Sequence, residues 1–166
     1  GQMTNNGVIR STSTGTIRLD SGMSLTMGAT GQFIADGQSI LLGVATITGG
    51  AIDAVNGAKF VRVADVAGVT AFSGATINGD FDVLVNNAGV AGIGPGFTNN
   101  GTMTFDNLGV SNAELSMSTG ATLGGSGTVV LNRANSSTKI TGNFTQGSNH
   151  TIRGAGQLGF NNTAIE

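Results

Sequence analysis

The chain has 166 residues, of which 39% are apolar and 10% charged, with a formal net charge of −2 and no cysteine. The apolar fraction excludes a chain that is disordered for lack of hydrophobic residues. With so few charges and a net charge of −2, the chain has no basic surface that would bind nucleic acid or anionic lipid. The absence of cysteine excludes disulfide bonds and thiolate metal sites.

Short strand-like segments follow one another along the whole chain, and each is bounded by Gly or Asn. Apolar and polar residues alternate in most of them, which is the pattern of a half-buried strand. In chain order the predicted strands cover residues 7–10, 16–19, 24–27, 32–35, 39–42, 46–48, 59–63, 81–85, 102–105, 114–117, 128–131, 139–141, 151–153 and 157–160. The 29 glycines argue against long helices, because glycine costs about 1 kcal/mol inside a helix.

Weak internal repeats connect these segments. Thr-Asn-Asn-Gly occurs at 4–7 and at 98–101, and Gly-Thr followed by alternating apolar residues occurs at 15–19, 101–105 and 127–131. The pattern predicts an all-β fold, a single-stranded right-handed parallel β-helix (β-solenoid) of about seven coils with roughly 20–25 residues each. Residues 1–166 are expected to be one segment of a longer repeat protein.

Three segments carry a resemblance to a known class of protein. Residues 125–131, 140–142 and 149–159 are similar to repeats of the filamentous-haemagglutinin and autotransporter-passenger exoproteins of bacteria. The resemblance implies a secreted or cell-surface β-helical shaft, structural or adhesive, that assembles into filaments and has no catalytic residues. The partners we expect are neighbouring coils or other copies stacked along the axis, and glycans or a host or matrix surface. We expect no nucleic-acid partner and no membrane insertion.

Two segments resemble sequence motifs of cofactor-binding enzymes. Residues 81–95 resemble the strand and Asn-Asn-Ala-Gly motif of short-chain dehydrogenases, but the chain lacks the Tyr that this chemistry needs. Residues 154–159 match G-x-G-x-x-G, but no helix-forming segment follows to bind a pyrophosphate. We therefore predict that the chain is not an enzyme and binds neither a cofactor nor a metal.

Asp80 and Asp82 support an alternative function, a β-helix that binds or cleaves polysaccharide. Residues two apart on a strand face the same way, so the two carboxyl groups could serve as acid and base or contribute to a calcium site. The competing interpretation is that both are solvated turn residues. His150 is the only histidine, and we expect it to be partly buried and hydrogen-bonded at the edge of the core.

Threonine and asparagine provide the remaining candidate residues. Thr-x-Thr triplets at 12–16, at Thr46 and Thr48, and at Thr102 and Thr104 suggest a second alternative, an ice-binding solenoid, although the triplets lie far apart in the sequence. Paired asparagines are predicted to form amide ladders at the corners, each bonded to the next coil, or to present amides to sugars. These pairs are Asn5 and Asn6, Asn86 and Asn87, Asn99 and Asn100, and Asn161 and Asn162.

Overall fold

The computed structural model describes residues 1–12, 14–20, 22–63, 68–85, 89–107, 112–132 and 138–159. These residues form 22 β-strands, and no helix occurs among them. The strands belong to three parallel sheets around one axis, here called A, B and C, which the chain visits in turn. The prediction of an all-β solenoid built from repeats is confirmed.

The strands are short, and a turn or corner follows each of them. The first nine are β1 (Gln2–Asn5), β2 (Val8–Ser11), β3 (Arg18–Leu19), β4 (Met23–Met27), β5 (Gln32–Asp36), β6 (Ile40–Leu42), β7 (Ala45–Thr48), β8 (Ala51–Val55) and β9 (Phe60–Arg62). The next seven are β10 (Gly68–Ser73), β11 (Thr76–Asn78), β12 (Phe81–Val85), β13 (Gly89–Ile93), β14 (Thr98–Asn99), β15 (Thr102–Asn107) and β16 (Ala113–Met117). The last six are β17 (Ala121–Leu123), β18 (Thr128–Asn132), β19 (Thr138–Thr141), β20 (Phe144–Gln146), β21 (Thr151–Gly154) and β22 (Gln157–Leu158).

One strand each of sheets A, B and C forms a rung, and successive rungs stack about 4.8 Å apart. Sheet A runs from β1 to β22 through every third strand, and sheet C runs likewise from β3 to β21. Sheet B consists of five strands (β2 to β14) and a separate pair (β17 and β20), connected by one bridge between Thr98 and Gly124. Since sheet C has seven strands, six steps separate its ends, and the chain makes about six turns where seven coils were predicted.

The number of residues in a turn varies because the corners differ in length. Gln2 pairs with Ser24, an offset of 22 residues. Thr46 pairs with Ala71, an offset of 25, whereas Lys139 pairs with Gln157, an offset of 18. The strands nevertheless stay in register, so the corners absorb the differences. This explains why the repeats are weak in the sequence.

Alternation along each strand sends every second residue into one core. In sheet C the inward positions are paired from rung to rung as Ile40, Phe60, Phe81, Met103, Val129 and Ile152. In sheet A the corresponding column is Leu25, Ile47, Phe72, Ile93 and Met117. All of these are buried except Ile152, which is partly buried. At roughly 1.5–3 kcal/mol for each large side chain, this burial is the main term that stabilises the solenoid.

Phenylalanine rings join the three sheets across the interior. The ring centroids of Phe33 in sheet B and Phe60 in sheet C are 5.2 Å apart. Those of Phe72 in sheet A and Phe81 in sheet C are 5.4 Å apart and meet edge to face. Such ring pairs add about 0.5–1.5 kcal/mol beyond their buried area. The three sheets therefore enclose a single core.

Candidate functional surfaces

The two Thr-Asn-Asn-Gly segments each turn their first asparagine into the interior. Asn5 is 8% exposed and Asn99 is fully buried. The Oδ1 atom of Asn5 accepts a hydrogen bond from the N–H of Gly7 at 3.0 Å, and that of Asn99 accepts one from Gly101 at 3.1 Å. This local bond is the one that lets asparagine form a tight turn at a corner. The side chains therefore help to close the corners.

The amide nitrogen atoms of the same residues reach the next rung. Asn5 Nδ2 donates to the carbonyl of Gln32 at 2.9 Å, and Asn99 Nδ2 lies 3.5 Å from the carbonyl of Thr128. Asn86, Asn87, Asn161 and Asn162 lie outside the described residues.

Asn99 also contacts His150, two rungs further on. Its Nδ2 atom lies 3.0 Å from Nε2 of the imidazole. His150 is 5% exposed, and burial lowers the pKa of its imidazole below the ordinary 6.5. Because an amide nitrogen can only donate, Nε2 accepts and the ring proton is on Nδ1. Nδ1 is buried without a hydrogen-bond partner among the described residues.

The second asparagine of each segment faces outward. Asn100 Nδ2 donates to Asn78 Oδ1 at 2.9 Å, and Asn78 Nδ2 donates to Asp53 Oδ1 at 2.8 Å. Asn100 Oδ1 accepts from the N–H of Ser126 at 3.3 Å, so this polar ladder spans four rungs. Asn6 is exposed, and its backbone carbonyl accepts a hydrogen bond from a threonine of the next rung.

Asp80 and Asp82 lie at the start of β12 on the outside of sheet C. Asp82 is ion-paired with Lys59, with 2.8 Å between Oδ2 and Nζ. The hydrogen bond to Asp82 raises the pKa of Lys59; desolvation by burial opposes it, and the charges of Asp82 and Asp80 add to the rise. Asp80 is exposed, and its backbone carbonyl accepts the N–H of Phe60. Glycoside hydrolysis needs two carboxyl groups flanking the substrate, and Asp82 is already engaged by an ammonium group.

Thr102 and Thr104 lie on β15 with their side chains on the outside of sheet C, both half-buried. Thr102 pairs with Thr128, which in turn pairs with Thr151, so three threonines follow one another. Thr104 lies between Asp82 and Val130. The threonine rank on this sheet is therefore short, and a charged residue adjoins it.

The outside of sheet A carries longer polar ranks, of which only the triplet at Thr46 and Thr48 was identified from the sequence. We define the A face as two parallel ranks of outward residues. The first rank is Gln2, Ser24, Thr46, Ala71, Gly92, Ser116 and Thr141. The second rank is Thr4, Thr26, Thr48 and Ser73, continued by Gly94 and Ser118. Neither rank contains a charged residue. Near Ala71 and Gly92 the face has a shallow depression of about 270 Å³.

One charged side chain, Arg62, lies in the core. It is fully buried in the inward column of sheet C, between Leu42 and Val83. Its guanidinium group donates to the backbone carbonyls of Val63 and, at 2.9 Å, Gly68. This position was not identified from the sequence, although the alternation of Phe60 and Arg62 around the outward Val61 could have indicated it.

The enzyme-like segments are incorporated into the solenoid. Residues 81–85 form β12 in sheet C and residues 89–93 form β13 in sheet A, while residues 86–88 lie outside the described part. Gly154 ends β21, and the next element is strand β22. The described residues contain no cluster of three or more His, Cys, Asp or Glu side chains able to hold a metal ion. In the same part of the chain, no helix has the length and hydropathy to cross a membrane.

Comparison with known proteins adds no family. No protein-family model, curated protein or solved structure matches the chain. The fold therefore defines the class, which is a β-solenoid repeat protein.

Proposed function

We propose that the chain is a structural or adhesive shaft within a secreted or surface-attached bacterial protein. The observation that carries this proposal is the unbroken stacking of sheets A and C, rung on rung, over one core. In such a stack the hydrogen bonds between strands run along the axis. Tension along the rod is then shared by many backbone bonds at each level.

The surface chemistry supports a role outside the cell. Only 10% of the residues are charged, and the outward ranks of sheet A consist mainly of Thr and Ser. Neutral hydroxyl and amide groups bind glycans and neighbouring proteins by hydrogen bonds that salt does not screen. Polar ladders such as Asp53, Asn78 and Asn100 reinforce the outside of the rod.

The first rung supports association along the axis. Its strands β1, β2 and β3 have no hydrogen-bonded neighbour on their outer side among the described residues. Met3, Ile9 and Ile17 are only partly buried there. An exposed strand edge next to apolar residues is a template for another strand. The partner we assign to this end is a further solenoid rung, from neighbouring sequence or another copy.

Two adjacent residues of β2 provide the test. Ile9 packs toward the core at the first rung, whereas Val8 points outward and is 58% exposed. In sedimentation velocity and negative-stain electron microscopy we expect end-to-end association that rises with concentration. Ile9→Lys should reduce it by placing a charge in the stacking surface, and Val8→Lys should leave it unchanged. Circular dichroism checks that both variants keep their strands.

Two results would count against the proposal. A wild-type chain that stays monomeric up to its solubility limit would exclude axial self-association, as would equal behaviour of the two variants. Cell fractionation of the organism that makes the protein tests its location. A parent protein found only in the cytoplasm would contradict a surface shaft.

A further inference from the structure

We propose that the A face binds ice. The inference goes beyond the shaft function and depends on a different surface. It begins with the register, which brings Ser24 and Thr26 beside Thr46 and Thr48 on the next rung. In the sequence the two pairs are separated by 22 residues, and the offset to the fourth rung is 25. In the fold they are direct neighbours.

The register gives the A face a two-dimensional repeat. Rungs are about 4.8 Å apart, and residues two apart on a strand are about 6.6 Å apart. Both distances are of the order of those at which oxygen atoms recur in hexagonal ice. A parallel sheet keeps these spacings constant over many rungs. Hydroxyl groups placed on such a grid can therefore hold water molecules in a solid-like arrangement.

The threonine hydroxyl groups at the second and third rungs of the A face are available to water, whereas those of Ser73, Ser118 and Thr141 donate hydrogen bonds within the protein. Thr26, Thr46 and Thr48 are exposed, and their hydroxyls form no hydrogen bond within the described residues. Each also carries a methyl group, so the face alternates small apolar and hydrogen-bonding groups.

At the first three rungs both ranks are uncharged, which matches a neutral solid because ionic groups would orient water around themselves. The ion pair of Glu114 and Lys139 lies beside the first rank only at the far end, where Glu114 also binds the hydroxyl of Thr141.

Other occupants fit the A face less well. Eight strands cover about 34 Å, and two ranks make the face about 10–15 Å wide, so its area is roughly 400 Å². A stable protein interface buries about 800 Å² on each partner, which argues against a dimer through this face. A flat crystalline polysaccharide would find no aromatic ring to stack on at this face, because the chain has no Tyr or Trp and its described phenylalanines are buried.

The A face is not uniform along the axis. Rungs one to three carry Thr4, Ser24, Thr26, Thr46 and Thr48, whereas Ala71, Gly92 and Gly94 interrupt the hydroxyls further on. We therefore place the strongest contact with ice at the first three rungs. Ser116 resumes the pattern at the sixth rung, where the hydroxyl of Ser118 donates to the backbone carbonyl of Ile93.

The experiment is growth of single ice crystals in the purified chain, with thermal hysteresis measured in a nanolitre osmometer. We expect faceted crystals and a measurable gap between melting and freezing. The test variant is Thr46→Lys with Thr48→Lys, which places two charges in the middle of the A face. The matched control is Thr102→Lys with Thr104→Lys, the same change on the outside of sheet C.

The outcomes separate clearly. The A-face variant should lose faceting and most of the hysteresis, while the sheet C variant keeps both and circular dichroism shows both folded. Disc-shaped ice in the wild-type solution would overturn the proposal. Equal loss in both variants would also overturn it, because the effect would not depend on the A face. Binding to crystalline cellulose or chitin without any effect on ice would assign the face to a polysaccharide instead. None of these results bears on axial association.

Discussion

Two corners of the molecule share the sequence Thr-Asn-Asn-Gly but have different surroundings. At the first corner, between sheets A and B, Asn5 bonds Gly7 and the next rung, and its Nδ2 lies 3.7 Å from the sulfur of Met27. At the second, between sheets B and C, Asn99 makes the same local bond but also reaches His150. The local turn thus follows from four residues, whereas the environment of the amide is set by rungs above and below it.

Glycines create the room at the second corner. Asn99 follows Ile77 in an otherwise apolar inward column of sheet B. On the next rung Gly125 and Gly127 approach it so closely that a Cβ atom on either would collide with Asn99. Because neither glycine has a side chain, the Asn99 amide can extend past this rung to His150. The same tetrapeptide therefore becomes a two-rung connection here and a one-rung connection at the first corner.

The two corners are expected to differ most in stability when their terminal glycines are replaced by alanine. A Cβ atom on Gly101 would overlap the backbone carbonyl of Gly79, whereas one on Gly7 would meet only Asn5 Oδ1 at 4.0 Å. Gly101→Ala should lower the free energy of unfolding by about 3 kcal/mol, because backbone must move. Gly7→Ala should change it by less than about 0.5 kcal/mol. Urea unfolding followed by circular dichroism measures both, and equal effects would show that the corners are equivalent.

The second-largest difference in stability is expected between alanine variants of the two buried asparagines. Asn99→Ala leaves the N–H of Gly101 and the acceptor nitrogen of His150 without their partner, so we expect a loss of about 2 kcal/mol. Asn5→Ala at the first rung should cost about 1 kcal/mol, since Asn5 retains some exposure. Thermal and urea unfolding of the two variants test this order. A larger loss for Asn5→Ala would contradict the importance of the two-rung connection.

The smallest expected effect is a pH dependence of the stability, which arises from His150 at the second corner. Burial lowers the pKa of His150 below 6.5, so the unfolded chain binds a proton that the folded chain resists. Stability should therefore fall as the pH drops below about 6.5, by at most about 1.4 kcal/mol for each pH unit, and stop falling below the folded pKa. His150→Gln should remove this component, which begins near pH 6.5 and extends to lower pH. Parallel curves for wild type and variant would disprove it.

The strand pattern was predictable because alternation is a local property. The stacking of Met103 and Phe105 on Val129 and Leu131 follows from repeats that begin with the same Gly-Thr pair. The A face was not predictable, because offsets of 22 and 25 residues hide the alignment of Ser24, Thr46 and Ala71. The contact of Asn99 with His150 spans 51 residues and depends on the glycine corner between them. Local sequence thus determines the strands, and the corner lengths determine which residues meet.

Because the corners differ in length, the rod can serve as a scaffold on which foreign peptides are displayed. The corners differ in length from rung to rung while the strands stay in register, so the spacing of the rungs is constant. At one such corner Asn56 is exposed with φ of 53°, and a Cβ atom on Gly57 would meet nothing within 4 Å. A foreign peptide grafted between these two residues would project from the side of the rod at a known height. Grafts at successive corners could then be set apart in increments of about 4.8 Å.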